Sequence, residues 1–333
     1  MSAYTPRDAT TLALVAMVLA ATLAAGLVLQ RRPPNQTARA LAWLVTLGAT
    51  LAVERLCRAE PAGVRMVAII AALLWGMKSV IGVEARAGGM APLSTLRWLG
   101  FAALWPGMRP APFASAGGPS KPGAWDLMAL GGRHALEGLA LAAAAWLVWH
   151  RGRPALNDGP ALMVATLLLL PGLSLMLHFG LFNVVTGLWR LAGVDVRPLF
   201  RAPLAARSLD AFWSRRWNLA FSEMTALGIY RPLSAPLGRR AATVAAFAAS
   251  GLLHELAISV PVLAGFGWPM LYFVLHAVLI MVERRLERAG RPVSGWGAWA
   301  HVWVLGWLAA PAVVLFHRPF LAGVVWPLIG VGG

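Results

Sequence analysis

The chain has 333 residues, of which 59% are hydrophobic and 13% are charged, and its formal net charge is +16. A soluble domain carries about 25% charged residues, so this composition excludes an ordinary soluble fold. Apolar runs of about 20 residues, the length of a membrane-crossing helix, recur along the chain and predict an all-α polytopic membrane protein. The arginines cluster in the loops between these runs, which favours contact with anionic lipid headgroups over nucleic acid.

The N-terminal part is predicted to contain three spans, over Thr10–Gln30, Ala38–Val53 and Arg65–Val83. The first is too long for a typical signal-peptide core, so we expect it to be retained. Between residues 84 and 132, Gly, Pro and Ser accumulate, and the apolar pieces are too short to span upright. This region is predicted to form re-entrant or interfacial helices, with Trp98 and Trp105 at headgroup level.

Six further spans are predicted in the C-terminal part, over His134–Trp149, Ala161–Leu191, Ala241–Ala264, Pro269–Val282, Trp296–Leu315 and Pro319–Val331. The loop Ala192–Arg240 carries eight arginines, and a second basic loop covers Arg284–Arg291. Positive charge accumulates in cytoplasmic loops, so both loops are predicted to face the cytoplasm. We expect eight to ten transmembrane or re-entrant helices in total.

The segment Leu209–Met224 is rich in aromatic and basic residues. On a single helix, four aromatic side chains would share one face: Phe212, Trp213, Trp217 and Phe221. An aromatic face beside arginines is typical of a helix that lies in the membrane interface. That interpretation leaves Asn218 unexplained, because an unpaired amide beside an apolar face is unfavourable.

His254 lies about ten residues from either end of its apolar run. An ionisable side chain at such depth costs about 3 kcal/mol on insertion scales, which makes it a functional-site candidate. Ser250 and His254 should share a helix face, Glu255 should point about 100° away, and Gly251 should admit another helix. Neutral imidazole can accept a hydroxyl proton near pH 7, so His254 is predicted to be a general base. A structural histidine bonded between helices is the alternative.

Several other chemistries have no support in the sequence. Cys57 is the only cysteine, which excludes an internal disulfide and a thiolate metal cluster. His254-Glu255 lacks a second histidine four residues on, so it is not a zinc motif, and we expect no metal site. The chain also lacks the Gly-x-Ser-x-Gly elbow of serine hydrolases and the glycine-rich loops that bind phosphates.

The string Ser208-Leu-Asp-Ala-Phe-Trp-Ser-Arg-Arg-Trp-Asn218 is followed 36 residues later by His254 in Ser-Gly-Leu-Leu-His-Glu. This pattern resembles the membrane-bound O-acyltransferase superfamily, and most of all its wax-synthase-like branch. Phe-Trp-x-x-Arg-Trp-Asn is the signature of that branch, and the Asn and His are the diagnostic residues of the family. Upstream strings are also similar to the branch: Phe182-Asn183, Gly187, Arg190-Leu191, Gly193, Pro198-Leu-Phe, Pro203, and Trp105-Pro-Gly-Met108 with Pro110.

The resemblance implies a transmembrane tunnel in which an acyl group passes from acyl-CoA, the donor substrate, to the hydroxyl of a lipophilic alcohol. It implies that His254 is the general base and that Asn218 orients the histidine or the acyl carbonyl. We expect Arg215, Arg216, Trp213 and Trp217 to contact the coenzyme A donor. No permanently bound cofactor and no nucleic-acid partner is expected.

In this interpretation, residues 1–333 form one membrane-embedded acyltransferase domain. Its parts are the N-terminal spans (1–83), the re-entrant or interfacial region (84–132) and the catalytic core (133–333), with signatures at 208–224 and 250–255. The protein is expected to be an integral multi-pass membrane protein, in the cytoplasmic membrane if the source is bacterial.

Three alternatives remain open at this point. A secondary transporter would use His254 and Glu255 as a proton relay, although the chain lacks the internal similarity that transporters usually have. An acetyltransferase acting on a secondary metabolite would use the same site with a shorter donor. A binding or scaffold protein would keep the fold without activity.

Overall fold

The computed structural model describes residues 2–331, and those residues form helices and connecting loops without a β-strand. We number the helices of seven residues or more. They are α1 (Ala9–Leu29), α2 (Gln36–Leu56), α3 (Ala62–Ala87), α4 (Thr95–Ala103), α5 (Ala124–Leu147), α6 (Asp158–Ser174), α7 (Phe182–Leu191), α8 (Leu209–Arg215), α9 (Leu219–Thr225), α10 (Arg231–His254), α11 (Trp268–Arg288) and α12 (Trp299–Ala309). Wider π-helical turns continue several of them, at Val148–Gly152, Leu175–Leu181, Ala226–Tyr230, Glu255–Ser259 and Leu321–Val325.

Five segments of the described chain are long and apolar enough to cross a membrane: Ala9–Leu29, Gln36–Ala59, Ala62–Ala87, Asp158–Leu191 and Leu219–Val262. A sixth forms if Trp299–Leu315 and Arg318–Ile329, which bend by 70°, make one broken span. Helices α5 and α11 have membrane-spanning length but carry more charge. The chain is therefore an all-α, integral multi-pass membrane protein, as its composition predicts.

The segment Leu219–Val262 cannot be a straight helix. Its residues Phe221 and His254 would lie about 50 Å apart on a straight helix that rises 1.5 Å per residue. Their rings instead lie 5.3 Å apart, so the chain folds back on itself. The non-helical residue in the run is Gly238, whose φ of 78° favours glycine. The fold therefore brings the signature segment next to the histidine that follows it by 36 residues.

Residues 84–132 fold against the N-terminal helices through short helical pieces rather than upright spans. Trp98 and Trp105 are buried in the core, and the indole nitrogen of Trp98 donates to the carbonyl oxygen of Leu23. These two tryptophans therefore face protein rather than lipid, and their position at headgroup level stays a prediction. Trp98 is enclosed because α4 packs across α1 and α3, and Trp105 lies in the turn that follows α4.

Lys78, in the middle of α3, fixes the position of this region. Its side chain is fully buried, and its ammonium group donates to the carbonyl oxygens of Phe101, Trp105 and Gly107. The same nitrogen lies 3.9 Å from the centre of the Phe101 ring. A buried ammonium group loses its hydration, and the three carbonyl oxygens and the aromatic ring compensate for that loss. Lys78 therefore holds the Trp105–Gly107 turn against α3.

Candidate active site

His254 is the last residue of α10 before a π-helical turn begins. Its Nδ1 atom lies 2.7 Å from the carbonyl oxygen of Ser250, one turn earlier on the same helix. A carbonyl oxygen only accepts hydrogen bonds, so Nδ1 carries the hydrogen of the neutral ring and Nε2 keeps its lone pair. No other described residue bonds Nε2. His254 therefore has the tautomer that a general base needs.

Two aromatic rings and one helix crossing fix the imidazole of His254. Its ring centre lies 4.2 Å from that of Phe273 on α11 and 5.3 Å from that of Phe221 on α9. Helix α11 comes this close because a Cβ atom on Gly251 would lie 2.7 Å from the sulfur of Met270. The predicted close helix approach at Gly251 is confirmed.

Asn218 begins helix α9, and the segment Leu209–Met224 is not the single helix that its periodicity suggests. The chain breaks between α8 and α9, and Asn218 has φ 42° and ψ 65°, the left-handed conformation that Asn tolerates better than most residues. Its Oδ1 atom accepts the backbone N–H of Phe221 at 3.3 Å. The expectation of one continuous interfacial helix was therefore wrong, because a cap at Asn218 restarts the helix.

The cap explains why an amide lies beside an aromatic face, but it involves only the oxygen of the amide and not its nitrogen. The side-chain nitrogen of Asn218 donates to no other described residue. Asn218 caps Phe221, and the Phe221 ring contacts His254. Phe221 thus links Asn218, through its backbone N–H, with His254, through its ring.

Phe212 contacts both tryptophans of the signature, with ring centres 5.1 Å from Trp213 and 5.5 Å from Trp217, but the two tryptophans otherwise pack against different aromatic neighbours. Trp217 packs against Phe212, Phe200 and His178, with ring centres 5.5, 4.9 and 5.5 Å away. Trp213 turns the other way, 5.6 Å from Phe273 and 5.4 Å from His276. Both tryptophans are partly buried in these aromatic groups. Their expected contact with coenzyme A stays a prediction.

Glu255 follows His254 in sequence, but its side chain caps the start of a different helix, α11. Its side chain is buried, and Oε1 accepts the backbone N–H groups of Gly267 and Met270 at 2.8 and 3.1 Å. These N–H groups belong to the first turn of α11, which has no other acceptors for them. The carboxylate makes no bond with His254, so the geometry gives the two residues separate roles and weakens the proton-relay hypothesis.

A second buried carboxylate, Glu283 near the end of α11, fixes the start of the signature helix α8. Its oxygens accept the N–H groups of Leu209 and Asp210 at 2.7 and 2.9 Å, and also the indole N–H of Trp303. The neighbouring Arg284 forms an ion pair with Asp210 at 2.7 Å. Helix α8 is thereby anchored to α11, the helix that also contacts His254.

A cavity of about 560 Å³ opens beside α8. Its charged lining residues are Arg201, Arg207, Arg215, Arg216 and Arg284 together with Asp210, Glu283 and Glu287. The two basic loops of the sequence thus meet on one side of the protein, as the prediction of a shared side requires. Partial burial, and next the nearby positive charge of Arg197, lower the pKa of Arg201. The predicted residues Arg215 and Arg216 line this cavity, whereas Trp213, Trp217 and His254 do not.

Sequence reasoning missed the roles of Lys78 and Glu283. Lys78 carried a usable signal, because it is one of two lysines and lies in the middle of an apolar span, where a charge is costly. Glu283 carried none, because a glutamate beside a basic loop is ordinary and its three bonds connect it to residues far away in sequence.

Comparison with known proteins supports this view of the signature region. Residues 196–275 match the model of the membrane bound O-acyl transferase family. This stretch contains Asn218, His254 and the cavity-lining Arg201, Arg207, Arg215 and Arg216. The resemblance that the sequence motifs predict is therefore confirmed for this part of the chain.

Among curated proteins, the chain is similar to the long-chain-alcohol O-fatty-acyltransferase of Simmondsia chinensis, with 36% identity over 37% of this chain and 40% of that protein. It is also similar to the probable long-chain-alcohol O-fatty-acyltransferases 6 and 2 of Arabidopsis thaliana. The identities are 33% over 31% of this chain and 32% of the first, and 32% over 37% of this chain and 41% of the second. The chain thus matches about two fifths or less of the length of these relatives.

Proposed function

We propose that this chain, whose residues 196–275 match the membrane bound O-acyl transferase family, is an enzyme that esterifies a long-chain alcohol with an acyl group from acyl-CoA. The observation that carries the proposal is the state of His254. Its Nδ1–H is held by the Ser250 carbonyl oxygen, and its Nε2 is free beside the helix that Asn218 begins.

The reaction begins when the alcohol hydroxyl gives its proton to Nε2 of His254. The alcohol oxygen attacks the thioester carbonyl carbon and forms a tetrahedral intermediate whose oxygen is negatively charged. The amide N–H of Asn218 donates to that oxygen. The C–S bond then breaks, and the coenzyme A thiolate takes the proton from the imidazolium. The products are the ester and coenzyme A, and the neutral histidine is restored.

The donor enters through the 560 Å³ cavity beside α8, where Arg201, Arg207, Arg215 and Arg216 make no ion pair with described residues and can bind the phosphates of coenzyme A. Guanidinium groups bind phosphate oxygens in pairs, which suits this donor. Helix α8 leads from this cavity toward Asn218, because Arg215 and Arg216 line the cavity and Asn218 follows two residues later. The thioester therefore reaches the site from the basic side of the protein.

The names of the relatives support a long-chain alcohol as the acceptor and a fatty acyl group as the donated group. This choice separates the proposal from acetyl transfer to a secondary metabolite. Palmitoyl-CoA with hexadecanol should give ester at a higher kcat/KM than acetyl-CoA with the same alcohol. The reverse order would support the acetyltransferase alternative.

The test of the proposal is ester formation by the purified protein in detergent, with His254→Ala as the variant and His301→Ala as the matched control. His301 is partly exposed on α12 and makes no side-chain hydrogen bond with described residues. Loss of the general base should lower turnover by about 100-fold or more. Thermal unfolding should show that both variants are folded. If folded His254→Ala keeps turnover within a few-fold of wild type, the assignment is wrong.

A further inference from the structure

A second basic cavity, of about 710 Å³, lies between helices α10 and α11 and shares only Arg284 and Glu287 with the donor cavity. Five arginines line it, Arg239, Arg240, Arg284, Arg285 and Arg288, against one carboxylate, that of Glu287. Most of its remaining lining is apolar. We propose that this cavity binds one anionic phospholipid, with the lipid phosphate among the arginines and an acyl chain along α11.

The charges in this cavity are not neutralised within the protein. Arg239, Arg240, Arg285 and Arg288 are exposed and form no ion pair with the described residues, whereas Arg284 is paired with Asp210. These four unpaired guanidinium groups line one cavity, and an anion bound there would reduce the repulsion between them. A phosphate group with its several oxygens is the anion that guanidinium groups bind best.

The apolar surfaces next to the cavity identify the anion as a lipid. On α11, the exposed apolar residues Leu271, Val274, Val278 and Val282 form one face, and Arg285 continues that face by one turn. Val278 and Val282 are 47% and 37% exposed, and both line the cavity. An exposed apolar face on a membrane helix contacts lipid chains, so the arginine at its end lies at headgroup level.

Helix α10 repeats this arrangement from the other side. Its exposed apolar residues Val244 and Leu252 lie on one side of the helix. Arg240 precedes them, at the start of the part of α10 that follows Gly238. The two apolar faces thus end at the same cavity. A free phosphate or nucleotide would leave them uncovered, whereas a diacyl lipid covers them with its chains.

This cavity is distinct from the donor cavity. Arg284 lies between the two, because its guanidinium donates to Asp210 at the donor side and to Thr243 on α10. A lipid beside Arg284 also contacts the end of α11 that caps α8 through Glu283. Binding of the lipid should therefore stabilise the fold without any acyl transfer, so this proposal does not depend on the proposed function.

The test measures thermal unfolding of the delipidated full chain in a non-ionic detergent. Phosphatidylglycerol should raise the midpoint, and phosphatidylcholine with the same chains should not. Inorganic phosphate and glycerol 3-phosphate should have little effect. If either water-soluble phosphate stabilises as well as phosphatidylglycerol, the site binds free phosphate and the lipid assignment is overturned. If coenzyme A competes with the lipid, the cavity belongs to the donor site and the proposal is also overturned.

The variant is Arg239→Gln with Arg285→Gln, and the control is Arg231→Gln with Arg291→Gln. The control residues are exposed arginines of the same two loops that do not line the cavity, so the net charge change is equal. Each arginine near an anionic lipid contributes about a fivefold gain in affinity, so the variant should weaken phosphatidylglycerol binding by about 30-fold. Equal weakening by both double variants would show only general attraction of charge and would overturn a defined site.

Discussion

Replacement of Asn218 by glycine separates its role as a helix cap from its role in catalysis. Glycine adopts the left-handed conformation that position 218 requires, with φ 42°, without steric cost. The lost cap to Phe221 costs only a few tenths of a kcal/mol when glycine replaces asparagine. The free energy of unfolding should therefore change little, although the unused N–H donor is removed.

Turnover should respond very differently. Loss of one placed donor to a developing oxyanion lowers kcat by about 10²–10³, which corresponds to about 2.7–4 kcal/mol of transition-state stabilisation. Asn218→Leu would lower both the turnover and the free energy of unfolding. A leucine in the left-handed conformation costs about 1–2 kcal/mol, and the cap is lost as well. Glycine is therefore the informative replacement, and leucine shows what a mixed effect looks like.

The control is Asn157→Gly at the start of α6, because Asn157 also has a positive φ, 64°, although with ψ 166°, and makes no side-chain cap bond. Ester formation and thermal unfolding are measured for both variants in detergent. If Asn218→Gly keeps turnover within about threefold of wild type, far short of the loss of an oxyanion donor, Asn218 is only a cap. The assignment of Asn218 to the site would then be refuted.

Two further predictions concern buried charges. Lys78→Met leaves three backbone carbonyl oxygens without their donor and should lower the free energy of unfolding by about 3 kcal/mol or more. The midpoint of thermal unfolding should fall accordingly. The control Lys121→Met should change that midpoint little. An unchanged midpoint for Lys78→Met would contradict the proposed fixing of the Trp105–Gly107 turn. Glu255→Gln keeps an oxygen for the first turn of α11 and should retain ester formation within a few-fold. A folded Glu255→Gln protein without activity would instead support a proton-transfer role for Glu255.

The membrane architecture follows from the sequence because it depends on local composition. Every backbone polar group in a bilayer must be bonded within the protein, and a helix does this within one segment, so a long continuous apolar run predicts a helix. For the same reason the sequence indicates Asn218 and His254, since polar side chains at membrane depth are rare and costly. The motif around them then identifies the family, and the match over residues 196–275 agrees.

Only the tertiary structure decided how these residues meet. Periodicity treats Leu209–Met224 as one helix, because the apolar positions fit a helical repeat, but a left-handed cap at Asn218 divides it. No local pattern reveals that the chain folds back at Gly238 and brings Phe221 to His254. The capping of α8 by Glu283 is equally hidden, because the N–H group of Leu209 lies 74 residues away in sequence, and the capping of α11 by Glu255 depends on the turn between α10 and α11. Apolar pattern fixes which segments enter the membrane, whereas unsatisfied helix ends and buried charges fix how those segments are joined.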